Sequence, residues 1–162
     1  MADKIMWAPW RSAFILGERE KGCVFCSRPK EEDSCENLIV YRGEKVYVIL
    51  NKYPYNTGHA LVVPYRHIGQ VEKLTVQEST ELFSVSQKTV AAMKRALNPH
   101  GFNLGMNLGP AAGAGIPKHL HMHIVPRWTG DSNFMPIVGQ TNVVSIPLEP
   151  VYDALRKELS GE

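Results

Sequence analysis

His119-Leu120-His121-Met122-His123-Ile124-Val125-Pro126-Arg127-Trp128 is the stretch on which the reading of the chain turns. Apolar residues alternate with histidines in it, and alternation marks a half-buried strand. Residues i, i+2 and i+4 of a strand share one face, so His119, His121 and His123 are expected in a row. Leu120, Met122 and Ile124 are then expected to press into the core behind them. Three of the six histidines fall within five positions, a density that background composition does not explain. Pro126, with no N–H to give, is expected to end the ladder. The row admits three readings. It is the polar face of an edge strand, a metal site built on His-x-His pairs, or a nucleophilic site in which neighbours hold one imidazole's tautomer and charge. The pattern lacks the Asp-His that follows such pairs in many metallohydrolases, and its length and regularity favour the nucleophile.

Working outward, Leu108 to Pro117 is a Gly/Ala loop that leads into the row. Its Gly109-Pro110-Ala111-Ala112-Gly113-Ala114-Gly115 run has small side chains that leave backbone N–H groups accessible, as in loops that cradle phosphate. Phe102 to Asn107 alternates as a strand. Leu82, Phe83, Val85, Val90, Ala91 and Met93 recur at helical spacing between Thr75 and Leu97. Thr75 with Glu78 forms a capping box at the start of that helix, and Asn98-Pro99 ends it. Leu38–Tyr41 and Val46–Leu50 flank Arg42-Gly43-Glu44 as a hairpin. Lys52 to Gly58 is a turn, and His59 opens a third strand, Ala60–Val63, stopped by Pro64. Residues 27–36 read as a solvated connection, and Val151–Leu159 as a short terminal helix. Together these predict an α+β fold: an antiparallel sheet of about five strands, one long helix covering one face, and a short C-terminal helix. Residues 1–162 are expected to form one domain, with an arm over 1–16 (Trp7, Trp10, Phe14, Ile15) and a tail over 129–162.

Composition narrows the function classes. With 44% hydrophobic and 21% charged residues and a net charge of +2, the chain is an ordinary globular protein, without the basic surplus expected of nucleic-acid or membrane partners. No apolar run approaches 18 residues, and no secretory h-region is visible. The three cysteines, two of them spaced as Cys23-x-x-Cys26, suit a reducing compartment, and the expected location is the cytoplasm. Cys-x-x-Cys is half of a zinc site whose other half must come from elsewhere in the chain; the alternative is two buried thiols. Cys35 is expected to be structural. Asn51, eight residues before His59, reads unaided as a turn amide, and His59 as a strand-start histidine.

With these residues in view, the chain resembles the histidine triad (HIT) family of nucleotidyl hydrolases and transferases. The resemblance runs from about Cys23 to Trp128. The Trp7-Ala8-Pro9-Trp10-Arg11 and Gly130-Asp131-Ser132-Asn133-Phe134-Met135-Pro136 segments are similar to its diadenosine tetraphosphate phosphorylase-type branch. It implies that His121 attacks the α-phosphorus to give a nucleotidyl-histidine and that His123 contacts the phosphate. It also implies that His59 joins the cluster and that Asn51 binds the ribose hydroxyls. Asn107 with the backbone of Gly113, Ala114 and Gly115 would hold the phosphate under attack. The family's zinc-bearing branches pair Cys-x-x-Cys with the histidines that correspond to His67 and His119, which implies zinc on Cys23, Cys26, His67 and His119.

The same resemblance implies a homodimer through the long helix and an adjacent strand, for which the apolar Trp7–Trp10 and Phe134–Val138 segments are the sequence-level motive. Three rivals remain. Hexose-1-phosphate uridylyltransferases carry glutamine where this chain has His123. A nucleoside phosphoramidase would use the same residues on a P–N bond, and a nucleotide sensor would bind without turnover.

Overall fold

The computed structural model describes residues 22–131 and 146–161. The expected arm over residues 1–16 and the Phe134–Val138 segment lie outside the described residues. In chain order the elements are α1 (Val24–Ser27), β1 (Ile39–Arg42), β2 (Val46–Leu50), β3 (Ala60–Pro64), α2 (Val76–Leu97), β4 (Gly101–Gly105), β5 (Met122–Arg127) and α3 (Leu148–Ser160), with single 3₁₀ turns at Arg28–Lys30, Val71–Lys73 and Pro110–Ala112. The α+β class with a five-stranded antiparallel sheet is observed, in the order β1-β2-β3-β5-β4.

The core strands are runs of β-branched and aromatic residues, every one buried in Val46–Leu50 and Ala60–Pro64. The long helix starts at the expected capping box: Glu78 N donates to Thr75 Oγ1 at 3.2 Å, and Thr75 N donates to Glu78 Oε2 at 2.8 Å. Asn98 ends it in the left-handed region at φ 47°. The helix packs on β2, β3, β5 and α3, and α3 packs on β1.

Several expectations are corrected. The ladder begins at Met122, so His119 and His121 precede it. His119 Nε2 donates instead to Pro64 O, at the end of β3, at 2.8 Å, and Leu120 N donates to Ile68 O, in the segment after β3, at 2.6 Å. Met122 is only half buried. Pro126 does not end the ladder but pairs with Phe102 inside it. Its carbonyl accepts from Asn56 Nδ2, and the nitrogen of a strand residue faces the same way. That side lies beyond the start of β3, so no ladder bond is lost. Pro64 likewise sits within β3.

In α2 the buried stripe is rotated from the expected one. Phe83 is 58% exposed and Ala91 is exposed, while Ser86 and Thr89 are buried. Their hydroxyls donate to Leu82 O and Val85 O, which removes the cost of burying them. Of the expected solvated connection over 27–36, residues 27–30 are helical, closing α1 and forming the 3₁₀ turn; β4 spans 101–105, and α3 starts three residues early, at Leu148. Cys35 is exposed, so it holds no core position.

Candidate active site

Residues paired across an antiparallel sheet share a face, and Leu61, His123 and Gly105 are opposite one another. Tyr47 lies on that face too, and its hydroxyl donates to Phe25 O at 2.7 Å, anchoring α1 above the sheet. A pocket of about 80 Å³ opens there, lined by Phe25, Asn51, Tyr53, Tyr55, Leu61, Asn107, Gly113, Gly115, Ile116, His121 and His123. A larger cleft of about 490 Å³ lies on the other side of the same loop, between Gly69–Glu72 and Leu108–Pro110. It holds no histidine or cysteine, whereas the smaller pocket is lined by His121 and His123.

Hydrogen bonds to the backbone fix the tautomers. His121 Nδ1 lies 2.9 Å from His119 O. A carbonyl only accepts, so Nδ1 carries the hydrogen and the lone pair of neutral His121 is on Nε2. His59 Nδ1 accepts from the Tyr55 N–H at 3.1 Å and lies 3.2 Å from Asn51 Nδ2. Asn51 Oδ1 is occupied by Tyr53 N, which sets the amide's orientation. His59 therefore carries its hydrogen on Nε2, which donates to His123 Nδ1 at 2.9 Å. Neutral His123 is left with its hydrogen on Nε2. An open lone pair on His121 and a donor N–H on His123 thus sit on adjacent rings with centroids 4.9 Å apart.

Burial favours the neutral rings. It pushes His59 down to about 3, helped by the neighbouring His123 and His121, and it lowers His121 against the opposing pull of the His119 carbonyl. Two residues reach this site only through glycine. Gly58 sits at φ +75°, where a Cβ would lie 2.6 Å from Leu97 Cδ1, so the turn that delivers His59 admits nothing larger. Gly113 closes its 3₁₀ turn at φ +80°. Within that loop, the Gly113 and Ala114 N–H groups are engaged by Pro110 O and Gly109 O. Among the described residues, no backbone carbonyl accepts from Gly115 or Ile116. Gly113 and Gly115 line the pocket and Ala114 does not.

His119 turns away from His121 and His123 into a second cluster. Cys23 Sγ and Cys26 Sγ lie 3.3 and 3.5 Å from its Nδ1, and His67 Nδ1 lies 3.3 Å from Cys26 Sγ. All four ligand atoms fall within 4.8 Å of one another. Tetrahedral zinc, with bonds of roughly 2.0–2.3 Å, would separate its ligands by about 3.5 Å, so the donor set and spacing fit. His119 Nε2–H is committed to Pro64 O, which leaves Nδ1 as the ligating atom. Burial and the adjacent Cys23 raise the Cys26 thiol, a repulsion that a bound cation would reverse. Phe25 stands between the clusters, its ring centroid 5.4 Å from that of His119 and 5.0 Å from that of His121.

The structure therefore gathers His121, His123, Asn51, Asn107, Gly113 and Gly115 around one pocket, with His59 bonded to His123 behind it, and Cys23, Cys26, His67 and His119 around another point. Sequence reasoning missed Phe25, Tyr53, Tyr55, Leu61 and Ile116. Phe25 had a signal, since it stands between the two cysteines; the tyrosines read only as turn residues.

Residues 32–130 match the family model described as the HIT domain. The chain is 43% identical over 148 residues to AP-4-A phosphorylase of Mycobacterium tuberculosis strain H37Rv, covering 86% of this chain and 75% of that one. It is 32% identical over 93 residues to asymmetrical bis(5'-nucleosyl)-tetraphosphatase of Schizosaccharomyces pombe, covering 57% and 50%. A crystal structure of a Zn-bound histidine triad family protein from Mycobacterium smegmatis superposes with a TM-score of 0.69 at 26% identity, covering 86% and 94%. On sequence, on fold and on the histidines themselves, the chain belongs to the HIT family.

Proposed function

We propose that this HIT-family enzyme cleaves dinucleoside polyphosphates such as diadenosine tetraphosphate at the α-phosphate, through a nucleotidyl-histidine on His121. The observation that carries the reading is the His121 tautomer: Nδ1–H held by His119 O, with the Nε2 lone pair available. In the first step a bond forms between His121 Nε2 and the α-phosphorus while the bond to the bridging oxygen breaks, and the polyphosphate leaves as an anion. His123 Nε2–H hydrogen-bonds the departing oxygen. Asn107 and the N–H groups of Gly115 and Ile116 hold the equatorial oxygens. Asn51 takes the ribose hydroxyls, its amide offering both donor and acceptor. In the second step water or inorganic phosphate attacks the same phosphorus and His121 leaves neutral. The names of the two curated relatives support this substrate class.

Product analysis tests it. Diadenosine tetraphosphate turned over with phosphate should give ADP and ATP, and without phosphate AMP and ATP through water. Absence of both product sets, or a rate unchanged in His121→Asn, overturns the proposal.

Three supporting assignments go with it. Zinc is held by Cys23, Cys26, His67 and His119, where it would tie α1 to the histidine segment; the donor set and its spacing support this. Two chains pair through α2 and β4, supported by the edge position of β4 and the exposed Phe83 and Leu104. Light scattering should then give twice the 18.1 kDa chain mass. The 1–162 chain acts as one domain in the cytoplasm; no described helix is long and apolar enough to cross a membrane.

A further inference from the structure

Tyr55 lies in the turn between β2 and β3 and is 39% exposed, so its ring is not there to fill the core. It stacks instead on two imidazoles. Its centroid is 4.7 Å from that of His59 at 29°, and 5.9 Å from that of His123 at 21°. Those two rings are 5.1 Å apart and joined by the 2.9 Å hydrogen bond. The phenol ring thus spans the pair, nearly parallel to both. The turn beneath it is fixed at both ends. Tyr55 gives its own N–H to His59 Nδ1. The next residue, Asn56, donates from Nδ2 to Pro126 O at 3.2 Å and to Asp131 Oδ2 at 2.6 Å.

We propose that the Tyr55 ring is a positioning residue for the His59–His123 pair, holding the two imidazoles so that His59 Nε2–H stays aimed at His123 Nδ1 and His123 presents Nε2–H to the substrate. This rests on the reading of His123 as the phosphate-facing donor. The phenol hydroxyl has no part in it; the flat face does the positioning. Any residue at position 55 other than proline keeps the backbone N–H, so side-chain variants isolate the ring.

Tyr55→Phe and Tyr55→Leu separate the possibilities. Stacked aromatic pairs contribute enough that losing one should lower kcat about three- to tenfold, with KM within about twofold. Tyr55→Leu is expected to show that loss, and Tyr55→Phe to stay within about twofold of wild type. Nitrogen-15 NMR of the imidazoles gives a readout independent of turnover. Wild type and Tyr55→Phe should show His123 protonated on Nε2 alone. Tyr55→Leu should show His123 averaged between tautomers, while His121 remains Nδ1–H as an internal reference. Tyr55→Leu with undiminished kcat and a single His123 tautomer overturns the proposal. So does Tyr55→Phe falling as far as Tyr55→Leu. If the wild-type chain turns over no dinucleoside polyphosphate, the functional reading fails while the tautomer comparison still decides the role of Tyr55.

Discussion

Glu78→Ala is the substitution whose cost can be worked most fully from the structure. The Glu78 carboxylate takes both Nε and a terminal nitrogen of Arg66, at 2.7 and 2.6 Å, and accepts from Thr75 N at 2.8 Å. Thr75 completes the box by accepting from Glu78 N. One side chain therefore starts α2 and pins Arg66, the residue before His67. Arg66 and the cap hold Glu78 well below the usual carboxylate value of 4.5, at about 2. At 1.36 kcal/mol per pH unit this sets a ceiling of about 3.4 kcal/mol. The Arg66 side chain is 47% exposed, and solvent screening reduces the figure to roughly 1.5–2 kcal/mol. That figure already includes the hydrogen bond that the carboxylate accepts from Thr75 N, since the cap is one cause of the lowered value.

Glu78→Ala should therefore cost about 1.5–2 kcal/mol at pH 7, or roughly 3–8 °C in Tm for a chain of this size. The pH dependence gives a second check. The folded value lies below the unfolded one, so this stability is present in full above pH 4.5 and is lost as pH falls through about 2. About half should be gone by pH 3, so the gap between wild type and Glu78→Gln should narrow from pH 7 to pH 3 in urea unfolding. A cost under about 0.5 kcal/mol for Glu78→Ala, or a gap that ignores pH, would refute the reasoning.

Metal analysis of protein purified without added metal should give close to one zinc per chain, and chelation should lower Tm; no metal together with unchanged melting in chelator would remove that assignment. Gly58→Ala should destabilise by roughly 1–3 kcal/mol, because a side chain there meets both a positive φ and Leu97; melting at the wild-type temperature would show that the turn relaxes freely. His59 is buried neutral, at about 3 against an ordinary 6.5. Its contribution is complete above pH 6.5 and is lost as pH falls toward 3, with about 2 kcal/mol gone between pH 7 and pH 5. Denaturant titrations of wild type and His59→Gln should therefore converge over that window; parallel curves would mean that His59 takes up its proton as readily in the folded protein as in the unfolded chain.

Most of the fold is legible in the sequence because its signals are local. The Thr75–Glu78 box, the Val46–Leu50 run and the Leu38–Leu50 hairpin each depend on residues within a few positions of one another. Where reading by period misled, a distant partner was responsible. The His119–His123 alternation looks like five continuous strand residues, yet before the ladder begins His119 is claimed by Pro64 O and the cysteines, Leu120 N by Ile68 O, and His121 by His119 O. Alternation registers only that every second residue points one way; it does not say to which partner. Phe83 looked like core because it is apolar, while Ser86 and Thr89 hide their hydroxyls on their own helix carbonyls. Tyr55 carries no periodic signal at all, since its partners are His59 four residues on and His123 on another strand.

The way the histidines are oriented bears on what they can bind. Histidine sites often set tautomer with a carboxylate, which also raises the ring's basicity. Here His59, His119 and His121 take their orienting bonds from the Tyr55 N–H, Pro64 O and His119 O respectively. A backbone dipole fixes the tautomer without adding a full negative charge. In a pocket proposed to take a polyphosphate that difference matters, because a carboxylate at hydrogen-bond distance would repel the substrate. At an effective dielectric near 20, two unit charges 4 Å apart interact by about 4 kcal/mol. It also keeps His121, the proposed nucleophile, neutral, since burial lowers it while its one orienting acceptor raises it only in part. An imidazole held neutral, aimed by backbone and flanked by a donor ring, is suited to attack an anion that a charged relay would hold off.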